Sequence, residues 1–310
     1  MPNSNTGIEH ATGRKMKIPF FDRISESKYG FLTTLPSLLI LLVVAAYPML
    51  WVIYLSTMDV NPSLQMNFVG LANYINIFCD SKFYLYLQHS LIYTFGAIFI
   101  SFTIGLLLAL SLDKALKYTS FLRTVALWTW AIPPVVASVT WKWIFNDVIG
   151  VLNDMLMHLG IIHAPVPWLS NGSIAQVCLF VTHAWTDIPF IMILLLAGLQ
   201  GISHELYEAA SVDGASGWQQ FKKVTLPLLK PTIMVALLIS TTFAFRTFDI
   251  VFTLTRGGPG DSTELLVTYL YNNAFQFLRF GYASALSVVM VLLTVIIIIV
   301  YTKVLQKDDY

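Results

Sequence analysis

The sequence predicts an all-α polytopic membrane protein with six transmembrane helices. Only 11% of the 310 residues are charged and 56% are hydrophobic, whereas about 25% of a typical soluble chain is charged. Six stretches are apolar and long enough to cross a bilayer, which takes ~20 helical residues. Lysine and arginine are concentrated in alternate connections between these stretches, as expected for a multi-pass protein of fixed orientation.

The first apolar stretch is expected to be a membrane span rather than a removable signal peptide. It is longer than the apolar region of a signal peptide, and no small-residue cleavage site follows it. Prolines interrupt the first stretch and, as the pair Pro133-Pro134, the third. Neighbouring groups can satisfy the carbonyls that a proline frees, so kinked helices are expected here. The six predicted spans are residues 31–56, 90–112, 122–145, 174–199, 228–254 and 282–304.

The basic residues predict that both termini lie in the cytoplasm, because cytoplasmic loops carry the excess of lysine and arginine. This orientation divides the chain into a cytoplasmic tail (residues 1–30), a six-span domain of the inner membrane (31–305) and a second cytoplasmic tail (306–310). Arg246 lies within a predicted span. The basic residues of the predicted inner segments are Arg14, Lys15, Lys17, Arg23, Lys28, Lys114, Lys117, Arg123, Lys222, Lys223, Lys230, Lys303 and Lys307, and those of the outer segments are Lys82, Lys142, Arg256 and Arg279.

The cytoplasmic loop between the fourth and fifth spans is predicted to form two short helices with a glycine break. Ser203 is a candidate N-cap for the first helix, and Ser216 with Gln219 has the spacing of a capping box for the second. Gly214 and Gly217 are expected to adopt positive φ angles and reverse the chain. The loop is therefore expected to be structured.

This loop is either a plain connection or a docking surface for a partner. Its small residues would let a partner approach the backbone closely, beside the acidic pair Glu208 and Asp213. Large apolar side chains such as Trp218 and Phe221 are typical anchors of protein interfaces. The residues by themselves leave both interpretations open.

The loop sequence EAASVDGASGWQQFKKVTLPLLKP resembles the EAA loop of ABC importer permeases. The family pattern is EAA, two residues, DGA, then a phenylalanine, an aliphatic residue and LP. The resemblance implies that residues 200–227 form a coupling helix, which in the family sits in a groove of the cytoplasmic ATPase. It transmits the ATP-driven closure of the ATPase dimer to the spans. The ATPase-coupling residues implied are Glu208, Ala209, Ala210, Asp213, Gly214, Ala215, Phe221, Leu226 and Pro227.

The resemblance covers residues 30–305 and is strongest to sugar permeases of the MalF/UgpA-like branch. It implies the type I ABC importer (MetI-like) permease fold. It also implies four kinds of partner: a second, MalG-like permease, two ATPase subunits that use ATP and Mg, an extracytoplasmic sugar-binding protein, and membrane lipid. The matching segments are FVGLANYINIF (68–78), RTVALWTWAIPPVVASVTWKWIF (123–145), PWLS (167–170), LAGLQGI (196–202), LTRGGP (254–259) and FGYASA (280–285).

Four ionisable residues inside predicted spans are functional candidates, because charge within a bilayer is costly. His183 and Asp187 are four residues apart and share a helix face, as do Arg246 and Asp249, which are three apart. Carboxylates and an arginine can bind sugar hydroxyls, while aromatic rings cover apolar sugar faces. In the alternative interpretation, Arg246 and Asp249 neutralise each other or pair with the partner subunit.

In maltose-type permeases the substrate contacts lie on the fourth and fifth of these spans, and the resemblance carries them onto this chain. The match runs through Trp185 and Pro189 and through the FAF run (243–245). Several side chains differ from the maltose member, so an oligosaccharide, a monosaccharide, a polyol or an acidic substrate such as glycerol-3-phosphate stays open. The substrate-binding residues implied are His183, Thr186, Asp187, Phe190, Thr242, Phe245, Arg246 and Asp249.

Other function classes fit the sequence less well. No G-x-x-x-x-G-K-[ST] phosphate loop is present, so the chain is expected to bind no cofactor and to depend on a separate ATPase rather than act as an enzyme. A net charge of +1 gives no basic face for nucleic acid. An intramembrane acid–base enzyme would leave the loop unexplained, and an ion-coupled secondary transporter would need inverted repeats with broken helices, which the sequence does not reveal. Neither the cysteines nor the scattered histidines have the spacing of a metal site.

Overall fold

The computed structural model describes residues 26–60, 63, 65–113 and 119–306. Residues 1–25 and 307–310 of the predicted cytoplasmic tails lie outside the described residues, as do the predicted inner lysines Lys114 and Lys117. The chain divides into two compact units, Met1–Trp51 and Val52–Tyr310. In the first unit the described residues are helical throughout.

The chain is mostly helical, as the composition predicts. Three five-residue π-helical segments, Leu42–Ala46, Phe221–Thr225 and Asn272–Gln276, interrupt longer helices. A short antiparallel hairpin pairs Met58 with Phe68 and Val60 with Met66. In order, the elements are α1 (Glu26–Leu41), α2 (Tyr47–Ser56), β1 (Met58–Val60), β2 (Met66–Phe68), α3 (Ala72–Cys79), α4 (Ser81–Leu112), α5 (Thr119–Ala131), α6 (Pro134–Ile144), α7 (Val151–His158), α8 (Gly172–Gln200), α9 (His204–Val212), α10 (Gly217–Gln220), α11 (Leu226–Phe245), α12 (Asp249–Leu254), α13 (Leu266–Tyr271) and α14 (Phe280–Gln306).

Within the described residues, five helices are long and apolar enough to cross a membrane, or six if the bent pair α5–α6 is one span. A helix occupies each predicted span, but two spans differ from a continuous helix. The third is broken between α5 and α6, whose axes differ by 94°. The fifth, predicted over 228–254, ends as α11 at Phe245 and resumes as α12 at Asp249.

The two breaks have different physical causes. At the first, Pro133 is extended (φ −56°, ψ 137°) and Pro134 begins α6, where its missing N–H costs nothing. No proline lies at the second. There the backbone N–H groups of Arg246 and Thr247 donate to carbonyls three residues back, and the Thr247 hydroxyl donates to the Phe243 carbonyl at 2.9 Å. These bonds satisfy the last carbonyls of α11 within the chain.

The core of the second unit is built on close packing of α4, α8 and α11. Glycines allow this approach. A Cβ on Gly105 of α4 would lie 2.8 Å from Cγ2 of Ile191 in α8, and one on Gly198 of α8 would lie 2.6 Å from the Thr232 hydroxyl in α11. Small residues at such crossings are typical of helices packed in a membrane.

A compact loop, residues 255–265, ties the ends of these helices together at the end predicted to face outwards. Tyr86 of α4 donates to Asp261 at 2.9 Å, and Gln176 of α8 donates to the Ser262 carbonyl at 2.7 Å. Glu264 is only 5% exposed and accepts a 2.9 Å hydrogen bond from Asn272. Burial raises the pKa of Glu264 to about 7. A titratable carboxyl group is therefore buried within this loop.

We expect Gly105→Ala to lower the free energy of unfolding by about 1–3 kcal/mol, because Ile191 must move to accept the new methyl group. Thermal unfolding in detergent measures the change. Gly30→Ala is the control, since a Cβ there meets nothing within 4 Å. Equal unfolding temperatures for the two variants would contradict the close-packing account.

The contribution of Glu264 to the stability of the protein should fall as pH rises from about 4.5 to about 7. Over this range an unfolded glutamate loses its proton, whereas Glu264, with its pKa raised by burial, retains it in the folded state. Glu264→Gln, which cannot ionise, should therefore be stabilising at pH 8 and nearly neutral at pH 5. Unfolding temperatures of both proteins across this range test the expectation, and a gain that is equal at both pH values would contradict it.

Candidate functional site

The loop with the EAA pattern is a helical hairpin made of α9 and α10. The Ser203 side chain accepts from the Glu205 N–H, as predicted for an N-cap. Ser216 and Gln219 form the predicted capping box, with the Ser216 N–H donating to Gln219 Oε1 at 2.7 Å. Gly214 has φ +77° and reverses the chain. The prediction for Gly217 is wrong, because this residue is the first of α10 and does not adopt a positive φ.

The solvent-exposed surface of the hairpin combines small and apolar residues. Ala209 and Gly214 are exposed, and Val212 is 87% exposed although it is apolar. Glu208 is also exposed and lies 3.2 Å from His204, one helical turn earlier. Exposed apolar side chains beside small residues are characteristic of a surface that a partner covers.

The inward side of the hairpin is attached to the helices. The hydroxyls of Tyr207 in α9 and Thr225 share a 3.0 Å hydrogen bond. Phe221 stacks on Trp218 with ring centroids 5.5 Å apart, beside a groove that reaches Leu106 and Leu110 of α4. Of the predicted coupling residues, Phe221 therefore faces α4, whereas Glu208, Asp213 and Gly214 are solvent-exposed.

A polar cavity of about 340 Å³ lies where the two helix breaks meet α8. Five of the predicted substrate-binding residues line it. The remaining wall comes from residues around the breaks and is largely aromatic or apolar. The lining residues are Trp130, Ile132 and Pro134 from the first break, His183, Thr186 and Asp187 from α8, and Phe243, Arg246, Thr247, Phe248, Asp249 and Ile250 from the second break.

Buried hydrogen bonds hold the α8 side of the cavity. His183 Nδ1 lies 3.0 Å from the Tyr93 hydroxyl of α4, which fixes the orientation of the imidazole ring. Asp187 Oδ1 accepts from the Ser240 hydroxyl of α11 at 3.0 Å. His183 Nε2 and Asp187 Oδ2 are buried without a hydrogen-bond partner in the described chain. A buried polar atom without a partner is costly, and both residues belong to the wall of the cavity.

Arg246 and Asp249 are both exposed, on either side of the second break. Between the described residues the only ion pairs within 4.0 Å are His158–Asp154 and His204–Glu208. The mutual neutralisation of Arg246 and Asp249 considered from the sequence is therefore not formed in this conformation. One guanidinium and one carboxylate are free at the mouth of the cavity.

Three predicted substrate-binding residues do not line the cavity. Phe245 is 2% exposed and belongs to an apolar cluster with Ile77 and Leu286. Thr242 donates to the Leu238 carbonyl at 2.8 Å, which satisfies its hydroxyl within α11. Phe190 instead stacks on Trp130, which lines the cavity, with the two ring centroids 6.2 Å apart.

The sequence analysis missed the aromatic part of the wall. Trp130, Phe243 and Phe248 line the cavity, whereas the aromatic residues that the resemblance named were Phe190 and Phe245. The proline pair after Trp130 was the available signal, because a break at Pro133 turns the preceding residues towards the cavity. With acceptors, a donor and aromatic faces together, the cavity can bind a ligand rich in hydroxyl groups.

Comparisons with known proteins agree on one family. The model of the family described as "Binding-protein-dependent transport system inner membrane component" matches residues 101–307. The trehalose/maltose transport system permease protein MalF of Thermococcus litoralis is 37% identical over 280 residues, covering 90% of this chain and 94% of the relative. The sulfoquinovosyl glycerol transport system permease protein SmoG of Agrobacterium fabrum is 35% identical over 280 residues, covering 88% and 89%.

The same fold is found in a solved structure. A chain in the crystal structure of a bacterial ABC transporter that imports the acidic polysaccharide alginate superposes with a TM-score of 0.78, covering 91% of this chain and 96% of that one. The two sequences are 22% identical. This likeness confirms the predicted type I importer (MetI-like) permease fold.

The hairpin contains two glycines that allow a matched test of its backbone. A Cβ on Gly214 or on Gly217 meets nothing within 4 Å, but only Gly214 needs a positive φ. Gly214→Ala should therefore cost about 1–2 kcal/mol of local stability, while Gly217→Ala should be neutral or stabilising. Faster trypsin cleavage at Lys222 and Lys223 in the first variant alone is the expected result. Equal cleavage rates would contradict the assigned turn.

Proposed function

Because the chain belongs to the family of binding-protein-dependent transport system inner membrane components, we propose that it is one permease subunit of an ATP-driven sugar importer. It translocates an oligosaccharide, a monosaccharide or a polyol into the cytoplasm by alternating access. The observation that carries this proposal is the polar, aromatic-walled cavity at the meeting point of two helix breaks. Membrane transporters use such breaks to expose polar backbone where it lines a cavity.

A neutral, hydroxyl-rich ligand suits the charges of this cavity. Asp187 and Asp249 offer acceptors, Arg246 offers donors, and Trp130 and Phe248 offer ring faces. With two carboxylates to one guanidinium, an anionic ligand would meet net electrostatic repulsion. The charges thus favour a sugar or polyol over a phosphorylated substrate.

The helical hairpin is proposed to couple this cavity to ATP hydrolysis. Its exposed small and apolar residues fit a groove on a cytoplasmic ATPase, and α8 and α11 run from its two ends to the cavity. We assign coupling roles to Glu208, Ala209, Ala210, Asp213, Gly214 and Ala215 on the hairpin. Phe221, Leu226 and Pro227 would link the hairpin to α11.

The proposed complex contains a second, MalG-like permease, two ATPase subunits and an extracytoplasmic sugar-binding protein. The chain is a transporter component rather than an enzyme, and ATP with Mg is assigned to the ATPase subunits. It is a multi-pass protein of the inner membrane. Both termini are placed in the cytoplasm, so the hairpin meets the ATPases and the loop of residues 255–265 faces the binding protein.

The test is the ATPase activity of the co-expressed complex in nanodiscs, with its binding protein and a panel of ligands. The panel contains disaccharides, longer oligosaccharides, monosaccharides, polyols and glycerol-3-phosphate. Stimulation by a neutral sugar with its binding protein is the expected result. Stimulation by glycerol-3-phosphate alone would overturn the substrate class, and uptake driven by an ion gradient without ATP would overturn the importer mechanism.

Replacing one carboxylate of the cavity should weaken transport without preventing assembly. Asp249→Asn removes a charged acceptor from an exposed position, and the loss of one charge-assisted hydrogen bond corresponds to a reduction in uptake of about tenfold. Asp154→Asn on α7 is the control, because this carboxylate is exposed, contacts His158 and does not line the cavity. Sugar uptake by proteoliposomes measures both. Loss of the assembled complex in Asp249→Asn would instead indicate that Asp249 pairs with the partner permease.

A further inference from the structure

A buried tyrosine of α4, Tyr93, lies directly behind the wall of the polar cavity. Its side chain is 2% exposed and does not itself line the cavity. Its hydroxyl oxygen lies 3.0 Å from Nδ1 of His183, which does line the cavity. The two rings meet edge to face, with their centroids 5.6 Å apart. Tyr93 therefore contacts a residue of the cavity wall without being part of that wall.

Packing between α4 and α8 fixes the position of the Tyr93 ring. The two helices approach closely at this level, since a Cβ on Gly96 of α4 would lie 2.9 Å from the ring of Phe180 in α8. The Tyr93 ring packs against the same phenylalanine, with centroids 6.2 Å apart, and belongs to an apolar cluster with Leu179. Side chains packed in this way keep one rotamer. The Tyr93 hydroxyl is therefore held beside Nδ1 of His183.

His183 and Asp187 are each oriented by a hydroxyl group from a neighbouring helix. Tyr93 of α4 occupies Nδ1 of His183, and Ser240 of α11 donates to Oδ1 of Asp187 at 3.0 Å. The second polar atom of each residue, His183 Nε2 and Asp187 Oδ2, is buried without a partner in the described chain. Both residues line the cavity and lie four positions apart, on one face of α8. This face therefore carries two oriented groups, each with one unsatisfied atom.

The hydrogen bond at Nδ1 decides what His183 offers at Nε2. A neutral imidazole carries its proton on one nitrogen, and the partner of the other nitrogen determines which. If the Tyr93 hydroxyl donates to Nδ1, the ring proton lies on Nε2. The charges of the cavity favour this arrangement, because Asp187 and Asp249 outnumber Arg246 along its wall. An N–H group is attracted to this excess of carboxylates, whereas a nitrogen lone pair is repelled by it.

We propose that Tyr93 is a positioning residue of the sugar site: its hydroxyl donates to Nδ1 of His183, which makes Nε2–H a donor to a ligand hydroxyl that in turn donates to Oδ2 of Asp187. A sugar hydroxyl suits this pair because it accepts and donates at once. An ether oxygen only accepts, so it would leave the carboxylate oxygen unsatisfied. This inference rests on the proposed function, since it describes how the same cavity recognises its substrate.

The first measurement is the NMR spectrum of the imidazole nitrogens in the complex in nanodiscs, prepared with isotope-labelled histidine. The signals of His183 are identified by their loss in His183→Gln. The wild-type proton should lie on Nε2, and Tyr93→Phe, which removes only the hydroxyl, should populate both tautomers. A wild-type proton on Nδ1 would mean that His183 donates to Tyr93, which then donates onwards to its neighbour Thr247. That result, or an unchanged tautomer in Tyr93→Phe, would overturn the proposal.

Sugar uptake by proteoliposomes, with trehalose and maltose as probes and saturating binding protein, measures the consequence for transport. Tyr93→Phe should lower the rate of uptake about threefold to tenfold, which corresponds to one hydrogen bond, and leave the basal ATPase rate unchanged. In a His183→Gln background the same change should cause no further loss, because the glutamine amide donates without a tautomer to be fixed. Losses that add in the double variant would mean that Tyr93 acts through packing rather than through His183, and this too would overturn the proposal.

Tyr86→Phe is the matched control, because it removes a hydroxyl from the same helix at the same burial of 2% exposed. The Tyr86 hydroxyl donates to Asp261 at 2.9 Å, and Tyr86 does not line the cavity. Its uptake should equal that of the wild type, and a loss equal to that of Tyr93→Phe would contradict a specific role for Tyr93. If the wild type takes up neither probe sugar, the proposed substrate class fails, while the NMR comparison still decides whether Tyr93 sets the tautomer of His183.

Discussion

Every peptide group of a membrane-spanning helix needs a hydrogen-bond partner inside the protein, because the bilayer core offers none. This constraint explains why α4 continues for 32 residues and α8 for 29 without interruption. It also explains where the chain departs from helical geometry. The break at Pro133 and the break after Phe245 both border the cavity, and at the second break the last carbonyls of α11 accept from Arg246 and Thr247. Backbone hydrogen bonding therefore determines where a binding site can form.

The uninterrupted helices also connect the two proposed functional regions. From Asp187 to Gln200 at the end of α8 is about 20 Å of helix, and α9 follows after three residues. α11 leads back from the hairpin to Arg246. Since α4 packs closely against both helices, with Gly105 permitting the contact with α8, we expect a displacement of the hairpin to be transmitted along them. The walls of the cavity are then expected to move with it.

The hairpin could be predicted from the sequence in detail, whereas the cavity could be predicted only in part. Caps at Ser203 and Ser216 and the reversal at Gly214 are set by short-range chemistry that three or four residues encode. The cavity depends on the second break, which has no proline and where the Thr247 hydroxyl donates to the Phe243 carbonyl. The resemblance, matched through residues 243–245, named Phe245 as a substrate-binding residue. In the structure Phe245 lies in the core, and Phe243 and Phe248 line the cavity.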